Sequence, residues 1–387
     1  MSSSNFLKLK SFTFVFYMCT GIIIPYFPLY FESQGYTKIE IGTLQTIGPI
    51  AGIVSNLVWG VISDRFHTIK KVLIVVLFGQ MIMVLLMMQA GSFITLFTVI
   101  LFFFFFQTPV NALNDSQIML AVKGTQKSYA SFRIWGSLGF AFSSLAVGFI
   151  LGKIGMEQSV HILLITTASS ILLAFGLKDR KGSYKKMEFS GLVQVIRSKA
   201  FLLFLLMILI ISIAHRTNDN FTTLYLKELG ASEGLIGLSP MLAGLSEIPI
   251  FLLLSKYGHK FKELPLLAIA GLAYGLRYLL TGLLNDPMAV IIVQGLHSIS
   301  FGIFMITAIR YLQLLIPDEY RATGQAIYAV VWSGLAGMAN GIAGGWVYKE
   351  WGSTTLYLIA AALGFIASCG FLLMHISNLR RSETAAL

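Results

Sequence analysis

The chain has 387 residues, of which 56% are hydrophobic and only 12% are charged, and its mean hydropathy is +0.79. Soluble domains carry about 25% charged residues, so this composition indicates a polytopic membrane protein and excludes soluble enzyme folds. The net charge of +11 does not indicate a nucleic-acid partner, because the positive residues are shared among short loops. The two cysteines lie in apolar runs at opposite ends of the chain, which argues against a disulfide framework and against a metal cluster.

Apolar segments long enough to cross a bilayer recur along the whole chain. A helix of about 20 residues spans the hydrocarbon core, and we count twelve such segments. They cover approximately residues 8–31, 40–62, 72–90, 93–120, 128–152, 158–177, 200–226, 235–255, 264–284, 288–312, 321–348 and 354–376. The first follows Lys8 and Lys10 without a small-residue cleavage site, so we interpret it as an uncleaved helix rather than a signal peptide.

The charged turn after the second segment, which contains Asp64, orients the chain. Of the 28 Lys and Arg residues, twenty fall in loops and tails on the side of this turn, four fall on the opposite side and four lie within segments. Positively charged loops stay in the cytoplasm. The sequence therefore predicts a multi-pass protein of the plasma or inner membrane with both termini in the cytoplasm. The four cations within segments are Arg133, Arg216, Arg277 and Arg310.

The longest polar stretch divides the segments into two groups of six, which resemble each other at an offset of 195 residues. The matching positions are Leu29-Tyr30, Gly35 and Ile41-Gly42 in the first group and Leu224-Tyr225, Gly230 and Ile236-Gly237 in the second. This agreement predicts two six-helix bundles, 1–177 and 200–387, joined by a cytoplasmic linker, 178–199, with a short surface helix around 189–197. Such repeats place a solute site near the membrane midplane, between the halves.

The turn reads Gly60-x-x-x-Asp64-Arg65 and is followed by Lys70-Lys71. Together with the twelve segments, the linker and the paired halves, it resembles the loop signature of the major facilitator superfamily. The resemblance implies the major facilitator fold, an all-α membrane protein with twelve transmembrane helices in two six-helix repeats. It also implies that Gly60, Asp64 and Arg65 form a conformational latch, in which the acid pairs with a cation or a helix N-terminus in one state. The alternative is a solvated turn that only sets the topology.

The turn departs from the family pattern in one place and has a reduced copy in the second half. His67 stands where the family usually has Gly, and the basic pair comes one residue late. The second-half copy, residues 255–259, contains no acid. We therefore expect a latch on one side of the transporter only.

The segment Arg133-Ile134-Trp135-Gly136-Ser137-Leu138-Gly139-Phe140 resembles the start of helix five in one branch of the superfamily. That branch holds lactose permease, the phenylpropionate permeases and the nucleoside–proton symporters. Asp115 precedes Arg133 by eighteen residues, as an acid on helix four precedes the matching arginine of lactose permease. The resemblance implies that Asp115 and Arg133 bind solute hydroxyls and that a solute ring stacks on Phe140.

The residues themselves support a polar site on helices four and five. Asp115 and Arg133 each lie nine residues from Gly124. Antiparallel helices leaving that turn place both charges about 13 Å along their helices, so we expect them to pair. Asn111, Asn114 and Asp115 form a polar stripe on one helix face. The stripe favours ligand contact, and a structural salt bridge is the alternative.

In the second half, Gln294-Gly295-Leu296-His297-Ser298-Ile299-Ser300 resembles helix ten of the permease. The histidine is kept as His297, but the lysine has become Gln294 and the proton-carrying glutamate has become Ser300. The permease's proton site therefore cannot simply be transferred. We expect Gln294 and His297 to contact the substrate, and a hydrogen-bonded core histidine is the alternative for His297. Glu247 and Arg277 resemble the branch's other membrane acid and arginine.

Four helices of the second half carry ionisable residues near mid-span: Asp219, Glu247, Arg277 and His297. Ionisable groups are costly within a membrane, and clustered acids, arginine and histidine suit a proton relay that changes partners between states. We predict that Glu247 carries the proton and that Asp219 and Arg277 take part in coupling. Asp219 and Asp115 are the alternative carriers. Arg310 lies near the cytoplasmic end of its helix, and we expect it to extend to the interface.

The sequence thus predicts a secondary active transporter that moves a small polar organic solute, such as a sugar, glycoside, nucleoside or aromatic acid, by proton-coupled symport with alternating access. Neither a Walker loop nor zinc-ligand spacing occurs, so we expect no enzyme activity, no cofactor and no metal. The expected partners are the solute, protons and the lipid bilayer, and a monomer suffices. The alternatives are a proton-coupled drug exporter of the same fold and a membrane sensor that does not transport.

Overall fold

The computed structural model describes residues 3–125, 127, 129–179, 198–316 and 321–384, and these ranges contain helices and turns but no strand. The helices of the first part are α1 (Ser3–Ser33), α2 (Lys38–Arg65), α3 (Ile69–Met87), α4 (Phe93–Val122), α5 (Ala130–Ile154) and α6 (Ser159–Phe175). Those that follow are α7 (Lys199–Glu228), α8 (Glu233–Tyr257), α9 (Glu263–Leu283) and α10 (Pro287–Leu315). A last helical stretch begins with Arg321–Ala329 and ends with Gly345–Thr384.

Side-chain caps fix where several of these helices begin. Thr37 and Glu40 form a capping box at the start of α2, in which each side chain binds the other residue's backbone N–H. The hydroxyl groups of Thr68 and Ser92 accept from the backbone N–H three residues on and begin α3 and α4 in the same way. The caps show that the short polar loops, as well as the apolar segments, determine where the helices lie.

Eleven described helices are long and apolar enough to cross a membrane. The eleventh, Ile327–Asn378, has 52 residues, about 78 Å at 1.5 Å per residue, whereas the hydrocarbon core is about 30 Å thick. Gly352 interrupts it with a non-helical conformation, φ 82° and ψ 169°. The all-α membrane architecture is therefore confirmed, while the count of twelve and the cytoplasmic placement of the termini stay predictions.

The first compact unit comprises Met1–Lys185 and Leu226–Met241. In it α1 packs against α5 and α6, and α4 packs against α2 and α3. A Cβ atom at Gly139 would collide with the backbone carbonyl oxygen of Phe14, so glycine allows α5 to lie this close to α1. Buried aromatic side chains such as Phe12 fill the core beside this contact.

The second compact unit comprises Lys186–Tyr225 and Leu242–Leu387. Here α9 packs along the helix Gly345–Thr384 and also against α10. A Cβ atom at Gly364 would lie only 2.5 Å from the backbone nitrogen of Gly275. The close approach of these two glycines sets the spacing of the two helices.

Two of the boundaries between the units fall inside α7 and α8, because 226–241 belongs to the first unit. The division into 1–177 and 200–387 stays a prediction. Most of the predicted linker, and the surface helix expected around 189–197, lie outside the described residues.

Candidate functional site

A continuous chain of polar contacts crosses the interior of the second unit. Arg277 is fully buried, and its guanidinium donates to Gln294 Oε1 and to His297 Nδ1, the latter at 2.7 Å. On the other side of the imidazole, His297 Nε2 lies 2.8 Å from Glu247 Oε1. Because a guanidinium only donates, His297 Nδ1 is the acceptor and the Nε2 proton is donated to the carboxylate. Gln294, Arg277, His297 and Glu247, expected on three helices, are thus brought together.

A second carboxylate–imidazole pair lies on α7. His215 Nε2 is 3.5 Å from Asp219 Oδ2, and Arg216 Nη1 is 3.3 Å from the same oxygen. The other ring nitrogen of His215 lies 3.2 Å from the Tyr274 hydroxyl of α9. Asp219 therefore neighbours a histidine and an arginine of its own helix, as its spacing predicts.

Aromatic rings connect the two pairs. Phe301 stacks on His215 and on His297, with ring centroids 4.9 Å apart in each case and interplanar angles of 10° and 14°. The Trp332 ring lies 5.1 Å from His215. Side chains of α7, α10 and the last helical stretch thus form one aromatic wall beside the titratable groups.

Three π-helical turns accompany this site, and sequence reasoning missed them. One, Ser298–Gly302, directly follows His297; the second, Val330–Leu335, carries Trp332; and the third is Asn340–Gly344. A π turn inserts an extra residue into a helix and frequently occurs at functional sites. The glycines in these turns were the only signal in the sequence, and glycine is common in all membrane helices.

The third π turn is bound to α7 by amide hydrogen bonds. Asn340 Nδ2 donates to Thr217 Oγ1 at 2.7 Å and to the Ile213 carbonyl at 3.2 Å. Asn220 donates to Asn340 Oδ1 at 2.9 Å. Buried amides cost free energy unless they are paired, so these contacts fix the π turn beside the polar face of α7.

In the first unit, Asp115 and Arg133 do not form the ion pair expected from their depth. Within the described residues, no oxygen of Asp115 lies within 4.0 Å of an Arg133 nitrogen. Instead the Tyr129 hydroxyl donates to Asp115 Oδ1 at 2.8 Å, and the Arg133 guanidinium lies over the Tyr17 ring, 4.3 Å from its centroid. The expectation of a direct pair was therefore wrong, because two tyrosines that spacing could not identify take up the two charges.

The other residues of the predicted polar stripe differ in their surroundings. Asn114 is fully buried, and its Oδ1 accepts from the Thr13 hydroxyl of α1 at 3.1 Å, so it faces a neighbouring helix. Asn111 is half-buried. Phe140 is also half-buried and packs beside the core of the first unit. Among these three, Asn111 and Phe140 keep the partial exposure that solute contact needs.

At the predicted latch, the acid that contacts a helix N-terminus is not Asp64. Among the described residues, the Asp64 side chain takes part in no hydrogen bond or ion pair, and a Cβ at Gly60 would meet no atom within 4 Å. Asp179, just after α6, instead accepts from the Thr68 hydroxyl at 2.6 Å and from the Lys70 backbone N–H at 3.1 Å. An acid therefore does lie at a helix N-terminus, as the latch hypothesis requires, but it is Asp179 at the start of α3.

The second-half copy of this turn also has an acid nearby. Arg310 on α10 donates to the Gly258 carbonyl at 2.8 Å and to Glu263 Oε1 at 2.7 Å. The guanidinium thus joins the α8–α9 turn to the first residue of α9. Arg310 has specific partners here, beyond the extension to the interface that its position suggested.

No group of three or more His, Cys, Asp and Glu side chains in the described ranges is arranged to hold a metal ion.

The sequence matches the model of the MFS_1 like family over residues 6–359. It is 23% identical to a maltose permease of Geobacillus stearothermophilus, over 97% of this chain and 94% of the permease. It is 24% identical to a probable 3-phenylpropionic acid transporter of Escherichia coli (strain K12), over 93% of this chain and 95% of that protein. The crystal structure of the nucleoside transporter NupG superposes with a TM-score of 0.81 at 17% identity, covering 96% of this chain and 98% of that one.

Proposed function

Because the chain belongs to the major facilitator superfamily, through the MFS_1 like family, we propose that it is a proton-coupled symporter of a small polar organic solute. It is a membrane transporter rather than an enzyme, and it is a multi-pass protein of the cell membrane that acts on a small molecule. Proton coupling, the solute and a monomeric state are our proposals, as is the division of the chain into two alternating halves.

The observation that carries proton coupling is the contact chain from Arg277 through His297 to Glu247. His297 can donate to Glu247 only while the contacted oxygen is an acceptor. A proton that enters this oxygen on the side facing Nε2 leaves the imidazole nothing to donate to there. A change of tautomer then moves the ring proton to Nδ1 and breaks the bond from Arg277. Loading a proton on Glu247 would therefore release Arg277, a fully buried charge, and favour a different packing of α8, α9 and α10.

Asp219 is the alternative carrier, because it has the same kind of histidine partner in His215. In the first unit we propose Asp115, Arg133, Asn111 and Phe140 as solute contacts. In the second unit, taken by itself, we propose His297. Asn114 and Gln294 become supporting residues, because both are buried and their amide oxygens already bind α1 and Arg277.

The solute class is proposed from the relatives. Their names specify maltose and 3-phenylpropionic acid, and the structural neighbour is a nucleoside transporter. We propose that this chain carries a sugar, a nucleoside or an aromatic acid.

The turn Gly60–Arg65 remains our proposed latch. Asp64 has no partner among the described residues, so its carboxylate is available to a cation or a helix N-terminus in another state.

Proteoliposomes test the proposal directly. The purified chain is reconstituted with a pH dye outside, and maltose, a nucleoside or 3-phenylpropionic acid is added to the outside. Symport predicts alkalinisation of the outer solution with the transported solute. Acidification would indicate the exporter instead, and solute binding without any flux would indicate the sensor.

The variant Glu247→Gln separates coupling from translocation. It should retain solute exchange across the membrane and lose accumulation against a gradient, because the amide cannot take up the proton. Asp219→Asn, measured in parallel, should lower accumulation without abolishing it, because Asp219 takes part in coupling but does not carry the proton. The reverse result would assign the proton to Asp219.

A further inference from the structure

Two tyrosines contact the opposite charges of the first unit, which do not pair with each other. Asp115 on α4 and Arg133 on α5 were expected to pair, yet no ion pair within 4.0 Å joins them in the described part of the chain. Each instead contacts one aromatic side chain, Tyr129 for the carboxylate and Tyr17 for the guanidinium. Neither tyrosine belongs to the family signature described above.

Tyr129 holds the carboxylate from the loop that precedes α5. Its hydroxyl donates to Asp115 Oδ1 at 2.8 Å. The phenol is the donor in this contact, because a carboxylate only accepts.

Tyr17 holds the guanidinium through its ring face. Arg133 Cζ lies 4.3 Å from the ring centroid, within the distance of a cation–π contact. A Cβ atom at position 136 would lie 2.7 Å from Tyr17 Cδ2 and 2.9 Å from Arg133 Nη1. Gly136, one turn along α5, thus leaves room for the guanidinium to stack on the ring.

The separation has a consequence for binding. A direct pair between a carboxylate and a guanidinium inside the membrane gains a large Coulomb energy, and a neutral solute would have to break it. Tyr129 binds one carboxylate oxygen, and Tyr17 covers one face of the guanidinium without using its N–H donors. The second Asp115 carboxylate oxygen can therefore accept from a ligand, and the Arg133 N–H groups can donate to it.

We propose that Tyr17 and Tyr129 are positioning residues that hold the Asp115 carboxylate and the Arg133 guanidinium apart, so that both stay available to a solute that can donate and accept hydrogen bonds. The proposal rests on the proposed function for the identity of this solute site. The separation of the charges can be tested without any solute.

The first experiment is a set of double-mutant cycles on the melting temperature of the purified full-length chain. Asp115→Asn and Arg133→Gln are combined in the wild-type background and in the Tyr129→Phe background. The two shifts should deviate more from additivity in Tyr129→Phe than in the wild type, because the freed carboxylate then pairs directly with Arg133. Tyr36→Phe, in the α1–α2 loop, is the matched background control and should behave as the wild type.

An equal or smaller deviation from additivity in Tyr129→Phe than in the wild type would overturn the proposal. This result does not depend on the identity of the solute, so it is distinct from a failure of the proposed function.

The second experiment measures the affinity of whichever panel solute stabilises the wild type against heat: maltose, a nucleoside or 3-phenylpropionic acid. Tyr129→Phe and Tyr17→Leu should each weaken binding by about tenfold, as expected from losing one oriented bond to a charged group. Tyr17→Phe keeps the ring and should bind as the wild type does. Equal weakening by Tyr17→Phe and Tyr17→Leu would contradict the stacking role, and unchanged affinity in Tyr129→Phe would contradict the role of its hydroxyl.

Discussion

Glu32 and Lys227 occupy equivalent positions of the two sequence repeats, 195 residues apart, and they form an ion pair in which Glu32 Oε2 lies 3.0 Å from Lys227 Nζ. Lys38 extends the cluster, with its Nζ 2.5 Å from Glu32 Oε1 and 3.7 Å from Glu228 Oε1. All four residues belong to the first compact unit. Like charges at these two equivalent positions would repel each other. Glu32 and Lys227 carry opposite charges and therefore attract each other.

We expect a measurable coupling between these side chains. A double-mutant cycle of Glu32→Gln and Lys227→Met, followed by thermal unfolding in detergent, should give about 0.5 kcal/mol, because both side chains are partly exposed. The coupling should fall as salt is raised to about 1 M, where the Debye length shrinks to about 3 Å.

Lys349 and Glu350 supply the control. Their charged atoms lie 3.4 Å apart, and both side chains are about half-exposed. The same cycle at this pair should give a smaller coupling. Two results would contradict an electrostatic stabilisation by the Glu32 cluster: equal coupling energies at the two pairs, or a Glu32–Lys227 coupling energy that does not change with salt concentration.

The sequence was sufficient to predict the membrane class, the family and most of the titratable residues that the structure brings together in the second unit. Charges in apolar segments stand out by residue type alone, which is how Glu247, Arg277 and His297 were found. Tyr129 and Asp179 were missed because a tyrosine or an exposed acid is unremarkable until its partner is known. The π turns were missed because they depend on tertiary contacts, such as those that Asn340 makes with α7.

Asp179 should stabilise the α2–α3 turn in the conformation described here, whereas Asp64 should contribute little to its stability. Asp179→Asn weakens two contacts at the N-terminus of α3, those to the Thr68 hydroxyl and the Lys70 backbone N–H. We expect a loss of about 1 kcal/mol in the free energy of unfolding, the usual size of a capping contribution. Asp64→Asn removes the same charge four residues before Thr68 and is the matched control, expected to change stability by less than about 0.5 kcal/mol. A larger loss in Asp64→Asn would return the capping role to the family's usual acid.

Glycine should be more stable than alanine at position 67. It is the non-glycine residue with positive φ in the described chain, at 49°, and it stands where the family usually has Gly. The left-handed conformation costs a residue with a Cβ about 1–2 kcal/mol, while glycine loses about 0.5–1 kcal/mol of chain entropy on folding. His67→Gly should therefore be about 0.5–1 kcal/mol more stable than His67→Ala, which also removes the exposed imidazole but keeps the Cβ.

Thermal unfolding of both variants measures the difference. Equal stabilities would show that the turn relaxes to accommodate a side chain. In that case the backbone conformation would not explain why the family usually has glycine at this position.

The last prediction concerns the neutral partner of the buried arginine. Gln294→Glu places a carboxylate of the same shape against the Arg277 guanidinium, which now donates to the Gln294 amide oxygen. A buried, hydrogen-bonded ion pair is broken only at a cost of about 3–5 kcal/mol. Arg277 should therefore stay bound to position 294 whatever the protonation of Glu247, so the variant should fold, exchange solute and fail to accumulate it.

Gln294→Met is the control for this position, because it keeps the length of the side chain and removes the acceptor. It leaves a fully buried guanidinium with one hydrogen bond fewer, and it should lower the free energy of unfolding by about 2 kcal/mol. Accumulation and exchange are compared in the same proteoliposomes, and stability is compared by thermal unfolding. If Gln294→Glu still accumulates solute, Arg277 does not need to leave position 294 during the cycle, and the proton on Glu247 must act on the transporter without releasing this arginine.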